Sequence, residues 1–304
     1  MSHPLQTLKT SVRRTLAALG RGPVSAGALA AFRRPDQMVE SCSVHMLVSS
    51  KTWHAGMLAA ASLEHFTGRQ WRFFIHEDGS VPAEARAEIA RLLPGSRFVP
   101  RPEAEERAAT LLAAHPRCAA NRARHNLFLK FFDTLAFADR DRLLVLDSDV
   151  IFFRQPAEIL EWTDRGLDTC LYNEDTREKF CIPRAEIEKA LPVTLLPRFN
   201  SGLVLMPRRA MNLDLAERLL ATFEDTAHAP QFFEQTLYAL MASTHPGGGA
   251  PLPRTYNISW GYWRDPGSIC RHYVGDFKHD LLYIEGAPLL LATLLRGRLT
   301  GSGN

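Results

Sequence analysis

The sequence has no hydrophobic run long enough to span a bilayer. Its longest apolar stretches, residues 150–153 and 289–295, fall far short of the roughly 20 residues that a transmembrane helix needs. Cysteine is also scarce, and the five cysteines are scattered without a C-x-x-C motif. This pattern argues against a disulfide framework and a zinc ribbon, so we expect reduced thiols in a cytoplasmic protein.

The chain likewise has little excess charge. Charged residues make up 23% and hydrophobic residues 46%, a balance that is typical of a globular protein and excludes collagen, coiled coil and extensive disorder. The formal net charge is +3, but six basic residues precede Asp36, the first acidic residue. Residues 36–304 carry 30 basic and 33 acidic side chains. A nucleic-acid-binding protein would carry its positive charge on the folded body, so we expect no nucleic-acid partner.

Residues 1–37 form a basic leader. Apolar residues recur there at helical spacing with basic residues between them, which predicts an amphipathic helix that ends at Gly20. The apolar positions are Leu5, Leu8, Val12, Leu16 and Leu19. We expect this helix to pack on the body or to extend from it. The alternative is peripheral contact with the inner face of a membrane. A secretory signal is disfavoured because Arg21 and Pro23 interrupt any long apolar segment.

From residue 43 onward, short apolar runs alternate with amphipathic stretches. Strands are predicted at 45–48 and 71–76, and helices at 52–66 and 82–93. This βαβ rhythm indicates an α/β fold with a mostly parallel sheet.

A long helix is predicted from about Asn121. Its core stripe has i, i+3, i+4, i+7 spacing and consists of Phe128, Phe131, Phe132 and Leu135. Lys130 lies about 200° around the helix from Phe128. We therefore expect Lys130 to point away from the stripe and towards a crevice.

The stretch 142–153 is the most informative in the chain. Four consecutive aliphatic residues predict a strand that is buried on both faces, and Asp147 and Asp149 follow where it ends. Ligands of open α/β sheets bind beyond the carboxyl ends of the strands. With only Ser148 between them, the two carboxylates can point to one side and hold a divalent cation. A surface loop with two solvated acids is the alternative, because a lone D-x-D motif is common.

Polar residues later in the chain are candidates for the same crevice. Residues 200–202 read Asn-Ser-Gly and precede a predicted strand at 203–206, which predicts a backbone-permissive turn. Glu234 and Gln235 interrupt an apolar helix, where buried polar groups need partners. Helix capping or a core hydrogen bond is the alternative for this pair.

The segment 271–278 combines a histidine, a glycine and a lysine. His272 could complete the metal site that Asp147 and Asp149 begin, and Lys278 could neutralise a phosphate. Taken singly, a histidine is more often structural than a ligand.

Together, these segments resemble the GT-A-fold nucleotide-sugar glycosyltransferases. The resemblance is closest to family 8, which includes glycogenin and the lipopolysaccharide galactosyl- and glucosyltransferases. It runs from about Ser43 to Lys278. Its elements are a first strand, a helix with a basic residue, a D-x-D strand, an Asn-small-Gly turn, an acid-Gln pair and a His-x-x-Gly-x-x-Lys ending. It implies a Rossmann-like GT-A domain over residues 38–280, followed by a C-terminal helix and tail over 281–304.

The resemblance implies an enzyme that transfers a hexose from a nucleotide diphosphate sugar to a hydroxyl acceptor with retention of configuration. UDP-sugar is the expected donor, the acceptor is a carbohydrate, a lipid-linked molecule or a protein, and surface polysaccharide or lipopolysaccharide synthesis is the expected setting. The implied ligands of Mn²⁺ or Mg²⁺ are Asp147, Asp149 and His272. The implied catalytic residues are Gln235, beside the anomeric carbon, and Asn200, facing the donor sugar. The implied donor contacts are Ser49, Lys130, Ser148, Gly202, Gly275 and Lys278, and weaker candidates are Asn173 and Glu174.

The chain also departs from the family pattern. Residues 48–51 read Val-Ser-Ser-Lys, without the acidic residue that often follows the first strand, so the base is unassigned. The ending Lys-Pro-Trp is replaced by Lys278-His279-Asp280, and Asp-Gln becomes Glu234-Gln235. These changes indicate a distant branch with a different acceptor.

Three other interpretations stay open. A haloacid dehalogenase-like phosphatase would use the first Asp of the motif as its nucleophile, but it usually has Thr or Val where this chain has Ile151. A nucleotidyltransferase would need a glycine-rich basic loop after the first strand. A degenerate GT-A domain would bind without catalysis, and the intact Asp147, Asp149, His272 and Lys278 count against it.

Overall fold

The computed structural model describes residues 3–225, 227, 229–258, 264–274 and 278–299. Its helices are α1 (His3–Leu19), α2 (Ser25–Ala31), α3 (Trp53–Thr67), α4 (Ala83–Leu92), α5 (Arg101–Leu111), α6 (Pro116–Arg124), α7 (Leu127–Phe137), α8 (Ala157–Asp164), α9 (Arg184–Ala190), α10 (Leu213–Phe223), α11 (Phe233–Thr244), α12 (Lys278–Leu281) and α13 (Ala287–Leu299). Its strands are β1 (Met38–Val48), β2 (Gln70–Glu77), β3 (Arg97–Val99), β4 (Arg142–Leu146), β5 (Val150–Phe152), β6 (Cys170–Glu174), β7 (Phe199–Pro207), β8 (Gly249–Pro251), β9 (Tyr256–Ile258) and β10 (Cys270–His272). Short π-helical turns occupy Gly20–Val24 and Leu282–Gly286, and 3₁₀ turns occupy Arg208–Ala210 and Pro230–Phe232.

The strands pair into two sheets. The larger has the order β3-β2-β1-β4-β7-β6-β8, and only β7 runs antiparallel to its neighbours. In the smaller sheet, β10 pairs antiparallel with β5 and parallel with β9. The architecture is therefore α/β with a mostly parallel central sheet flanked by helices, which confirms the predicted fold class.

The position of β4 in the middle of the sheet explains why its residues do not alternate between polar and apolar. Leu144 and Leu146 pack into the core cluster on the α3 side of the sheet. Leu143 and Val145 pack into the cluster on the other side, with α7, α10 and α11. Since both faces of the strand are covered, every position after Arg142 is apolar and buried.

The structure agrees with the predicted elements of the first half of the chain. The strands predicted at 45–48 and 71–76 lie within β1 and β2, and the helices predicted at 52–66 and 82–93 correspond to α3 and α4.

The long helix predicted from Asn121 is wrong as a single element. It is two helices, α6 and α7, because the backbone at His125 is extended, with φ −136° and ψ 122°. Arg122 and Arg124 lie in the last turn of α6, where the helix dipole favours basic residues.

The turn predicted at residues 200–202 is also wrong, because these residues lie inside strand β7. Asn200 pairs with Asn173 of β6, and the carbonyl of Gly202 accepts a hydrogen bond from the amide of Asp147 at 2.7 Å. The neighbouring strands satisfy the backbone of this polar segment, so it has no need to turn.

All five cysteines are free and buried. Among the described residues, no helix has the length and apolar character needed to cross a membrane.

Candidate metal centre

The pairing of strands brings the three predicted metal ligands together. Asp147 follows the end of β4, Asp149 precedes β5, and β5 pairs with β10 so that Val150 faces His272. His272 Nε2 lies 3.2 Å from Asp149 Oδ1 and 3.6 Å from Asp147 Oδ2. One ligand atom from each of the three residues falls within 4.8 Å of the other two.

Asn200 fixes the orientation of the histidine. Its Oδ1 accepts hydrogen bonds from the amide of Gly202 at 2.9 Å and from His272 Nδ1 at 3.0 Å. Its Nδ2 donates to Asp175 Oδ2 at 3.2 Å, so both ends of the amide are assigned by their partners. Nδ1 donates to Asn200, and Nε2 is the ring atom that faces the two aspartates.

This donor set fits a divalent cation. Two carboxylates and an imidazole nitrogen combine the oxygen and nitrogen ligands that Mn²⁺ accepts. Asp149 and His272 are buried and Asp147 is half-buried, so contacts with the protein fix the positions of the three side chains.

Gly202 makes room for the histidine ring. A Cβ on this residue would lie 2.2 Å from His272 Cε1 and 2.4 Å from Nδ1. The resemblance implied that Gly202 faces the donor sugar. In the structure, the imidazole of His272 fills the space that a side chain at residue 202 would need.

Lys130 extends from α7 to Asp147 and Ser201. It is buried, and its donors are directed to protein acceptors. These acceptors are Asp147 Oδ1 at 2.8 Å, Ser201 O at 3.0 Å, Ser201 Oγ at 3.1 Å and, as an ion pair, Glu234 Oε1 at 3.1 Å. In this structure Lys130 therefore binds the carboxylate of Asp147, a candidate metal ligand. The donor contact that the resemblance implied for Lys130 stays a prediction.

Burial and charge act against each other in this cluster. Burial raises the pKa of Glu234 to about 7, with Asp147 adding to the rise and Lys130 opposing it. Burial alone would lower the pKa of Lys130, but the attraction of Asp147 and Glu234 outweighs it and raises that pKa above its ordinary value.

The acid-Gln pair is turned towards the same cluster. Glu234 Oε2 accepts from Ser201 Oγ at 2.9 Å. Gln235 Oε1 accepts from the amide of Ser201 at 3.4 Å, and its Nε2 donates to the carbonyl of Lys179 at 2.6 Å. Both polar side chains of this apolar helix therefore have partners, as buried polar groups require.

Ser49 and Ser148 are positioned by the start of helix α3. The amide of Ser49 donates to Thr52 Oγ1 at 2.9 Å, and its carbonyl accepts from the amide of Trp53, the first residue of α3. Ser148 lies close to Gly56 of α3, where a Cβ would come within 3.5 Å of the serine Cβ. Two predicted donor contacts fall where the structure gives no description. Gly275 lies outside the described residues, and the side chain of Lys278 is not described either.

Sequence reasoning missed Asp175. It is buried directly after β6, accepts from Asn200 and forms an ion pair with Lys179 at 3.2 Å. The signal that could have found it is its position after Asn173 and Glu174, at a strand end that faces the crevice.

A cavity of about 330 Å³ adjoins this part of the site. Its lining includes Glu174, Asp175, Arg198, Arg254 and Asn257. Arg198 pairs with Glu174 and has φ +47°, a left-handed conformation that is unfavourable for residues other than glycine.

No protein-family model and no curated protein matches this chain. Solved structures are similar to it. The galactosyltransferase LgtC, in complex with donor and acceptor sugar analogues, gives a TM-score of 0.52 at 18% identity, over 83% of this chain and 95% of that one. Mouse xyloside xylosyltransferase 1 gives 0.52 at 13% identity, over 76% of this chain and 96% of that one. The glycosyltransferase GlyE of Streptococcus pneumoniae gives a TM-score of 0.53 at 13% identity, over 88% of this chain and 64% of that one.

These similarities identify the fold. The chain has the GT-A fold of glycosyltransferases such as LgtC, which confirms the fold that the resemblance implied.

Proposed function

We propose that the protein is a metal-dependent glycosyltransferase that moves a hexose from a nucleotide diphosphate sugar, with UDP-sugar as the donor, to a hydroxyl acceptor. The observation that carries this proposal is the convergence of Asp147, Asp149 and His272 at the end of the central strand of a GT-A fold. A bound Mn²⁺ or Mg²⁺ would offset the negative charge that develops on the leaving diphosphate.

The residues around the ligands support this role by holding them in place. Lys130 binds Asp147 from beneath the site, and Asn200 binds His272 through Nδ1. The cluster holds two aspartates and Glu234 against one lysine, so it attracts a cation.

We propose retention of configuration by attack of the acceptor hydroxyl on the face that the diphosphate leaves. Glu234 binds Lys130 and Ser201, and this arrangement suits holding Lys130 in place. Gln235, beside it on α11, would stabilise the reacting sugar without attacking it.

We place the sugar hydroxyls in the cavity that adjoins Asp175. Carboxylate and amide side chains there, from Glu174 and Asn257, offer the hydrogen-bonding groups that sugar hydroxyls need. The acceptor in this proposal is a carbohydrate, a lipid-linked molecule or a protein. Because all five cysteines are free and buried, we place the reaction in the reducing cytoplasm.

The test is a thermal-shift screen against UDP, GDP, CDP, ADP and TDP, each with and without Mn²⁺. One diphosphate should raise the unfolding temperature only when Mn²⁺ is present, because a ligand that binds the native state stabilises it. Failure of every diphosphate to stabilise the protein would contradict the proposal.

Variants tie the effect to the metal centre. Asp149→Asn should abolish the Mn²⁺-dependent shift and the turnover of the donor while the protein stays folded. Asp164→Asn is the matched control, because Asp164 is a partly exposed acid paired with Arg69 away from the site. His272→Ala should weaken Mn²⁺ binding more than nucleotide binding in metal-free buffer, and equal losses would place His272 outside the metal shell.

A further inference from the structure

The second half of helix α1 presents three large apolar side chains to solvent. Val12, Leu16 and Leu19 are 51%, 47% and 52% exposed, and they follow the i, i+4, i+7 spacing of one helical face. We call these three residues the leucine face. Leu5 and Leu8 continue the same spacing towards the N-terminus in the sequence.

The side of α1 that contacts the body is built from other residues. Ala17 is buried there, and so is Gly20 at the start of the turn that follows α1, although these residues have little or no side chain to bury. At about 100° per residue, this contact side points roughly 90° away from the leucine face. Packing on the body therefore leaves the leucine face uncovered.

Two contacts fix the helix in this orientation. Arg13 forms an ion pair with Asp280 at 2.8 Å. A Cβ on Gly20 would overlap the carbonyl oxygen of Tyr283, so the chain at residue 20 touches the turn 282–286 backbone to backbone. Rotation that buried the leucines would break the ion pair and this close approach.

Basic residues outnumber acidic ones around α1, where Asp280 is the acidic partner of Arg13. Residues 1–35 and 286–304 contain no aspartate or glutamate. Their basic residues are Lys9, Arg13, Arg14, Arg21, Arg33, Arg34, Arg296 and Arg298. Helix α13 packs against α2 and the turn Gly20–Val24, so both carboxylate-free segments lie in one layer of the molecule.

Helix α13 adds further exposed apolar side chains to this layer. Leu289, Leu295 and Leu299 are exposed, and the last turn of the helix contains Arg296 and Arg298. Apolar side chains grouped with basic ones are typical of surfaces that bind anionic lipid.

We propose that the leucine face of α1 docks on an anionic lipid surface, with the leucines entering the headgroup boundary and the basic residues attracted to its negative potential. Both contributions come from the same helix, as interfacial binding requires. This inference does not depend on the chemistry of the metal centre.

The test is co-sedimentation of the full chain with lipid vesicles. Vesicles that contain phosphatidylglycerol should bind the protein at least about tenfold more strongly than vesicles of phosphatidylcholine alone, and added salt should weaken that binding. Equal binding to the two vesicles, or no binding to either, would overturn the proposal.

A triple variant tests the apolar contribution. Val12→Ser, Leu16→Ser and Leu19→Ser together should lower vesicle binding by at least about tenfold. Leu127→Ser is the matched control, because Leu127 is 49% exposed on α7, beside the other core cluster, and this variant should bind vesicles like the wild type. Wild-type vesicle binding by the triple variant would overturn the proposal.

Two further readouts separate this proposal from its alternatives. The triple variant should keep the nucleotide- and Mn²⁺-dependent thermal shift of the wild type, so that loss of vesicle binding cannot be confused with a failure of the proposed function. Sedimentation velocity of the wild type without lipid should show no self-association. A wild-type dimer that the triple variant abolishes would overturn the proposal in favour of a second copy of this chain.

Discussion

Replacing Gly202 with alanine tests how the metal centre is built. The new Cβ would lie 2.2 Å from His272 Cε1, whereas ordinary contacts at such a position begin at 3.4 Å. The strand cannot yield easily, because the carbonyl of residue 202 is bonded to the amide of Asp147 and its amide to Asn200. The imidazole ring must therefore move by roughly 1 Å to reach ordinary van der Waals distance.

The expected effects follow from that displacement. Moving the ring breaks its 3.0 Å hydrogen bond to Asn200 and carries Nε2 away from the two aspartates. Overpacking of this kind costs about 1–3 kcal/mol of stability. Loss of the partner that orients a ligand histidine weakens metal affinity by about 10- to 100-fold.

Two measurements check this, namely urea denaturation for stability and calorimetric titration with Mn²⁺ for affinity. Gly27→Ala is the matched control, because a Cβ there meets only side-chain atoms of Leu291, at 3.5 Å, within helix α2. Alanine in a helix is favoured over glycine by about 0.5–1 kcal/mol, so the control should be as stable as the wild type or more so.

A double variant separates the steric cause from other effects of the substitution. When His272→Ala is combined with Gly202→Ala, the ring that the new methyl group would strike is absent. The cost of the alanine at residue 202 should then largely disappear, which gives a large coupling free energy in the double-mutant cycle. A Gly202→Ala variant with wild-type stability and metal affinity would refute the reasoning, as would a cycle without coupling.

Two further predictions concern other buried groups. Lys130→Met should lower the free energy of unfolding by about 3–5 kcal/mol, because it leaves Asp147 and Glu234 without their buried cation. Glu234→Gln should lower it clearly less. Equal losses of the two variants in urea denaturation would contradict the role of Lys130 as the shared cation. Burial lowers the pKa of His76 to about 3, below the ordinary value near 6.5, so its contribution to stability should be complete above pH 6.5 and decline as the pH falls towards 3. At pH 5 the expected loss is about 2 kcal/mol relative to pH 7, and His76→Gln should flatten that decline; a variant that kept the wild-type slope would show that another group causes it.

The parts of the site that depend on periodicity could be predicted from the sequence. An apolar run without alternation identified β4 as a strand covered on both faces, and the acids after it had to emerge at a sheet edge. The helical angle between Phe128 and Lys130 directed the lysine away from the aromatic stripe, and the structure buries its ammonium against Asp147 and Ser201. Such inferences hold because side-chain direction follows from the local backbone alone.

The contacts of Asn200 and Gly202 with His272 could not be predicted in the same way. Asn200 orients the histidine and Gly202 leaves space for its ring, roles that the resemblance did not imply. The donor contacts that it implied for both residues stay predictions. Both roles depend on β10, which is some 70 residues away in the chain. Strand pairing decides which residues meet His272, and the local sequence around Asn200 does not determine that pairing.

Helix α1 shows a second limit of local reasoning. The spacing of its leucines correctly predicts a helix but does not determine which side meets the body. That choice depends on Asp280 and on the backbone of Tyr283, near the other end of the chain. An amphipathic pattern therefore indicates an apolar face without indicating what covers it.

The two sheets also explain how the metal ligands can be held before any substrate arrives. Asp147 is bonded to β7 through its backbone, Asp149 accepts from the amide of Tyr273 through its carbonyl, and His272 lies in β10. These backbone bonds and the pairing of β10 with β5 hold the three candidate ligands in place at the end of β4. On the proposed function, Mn²⁺ affinity in the absence of nucleotide should depend on Asn200, Gly202 and Lys130, the residues that orient the candidate ligands. Affinity for the nucleotide depends in addition on groups outside the metal shell, so the two affinities should respond differently to the same substitution.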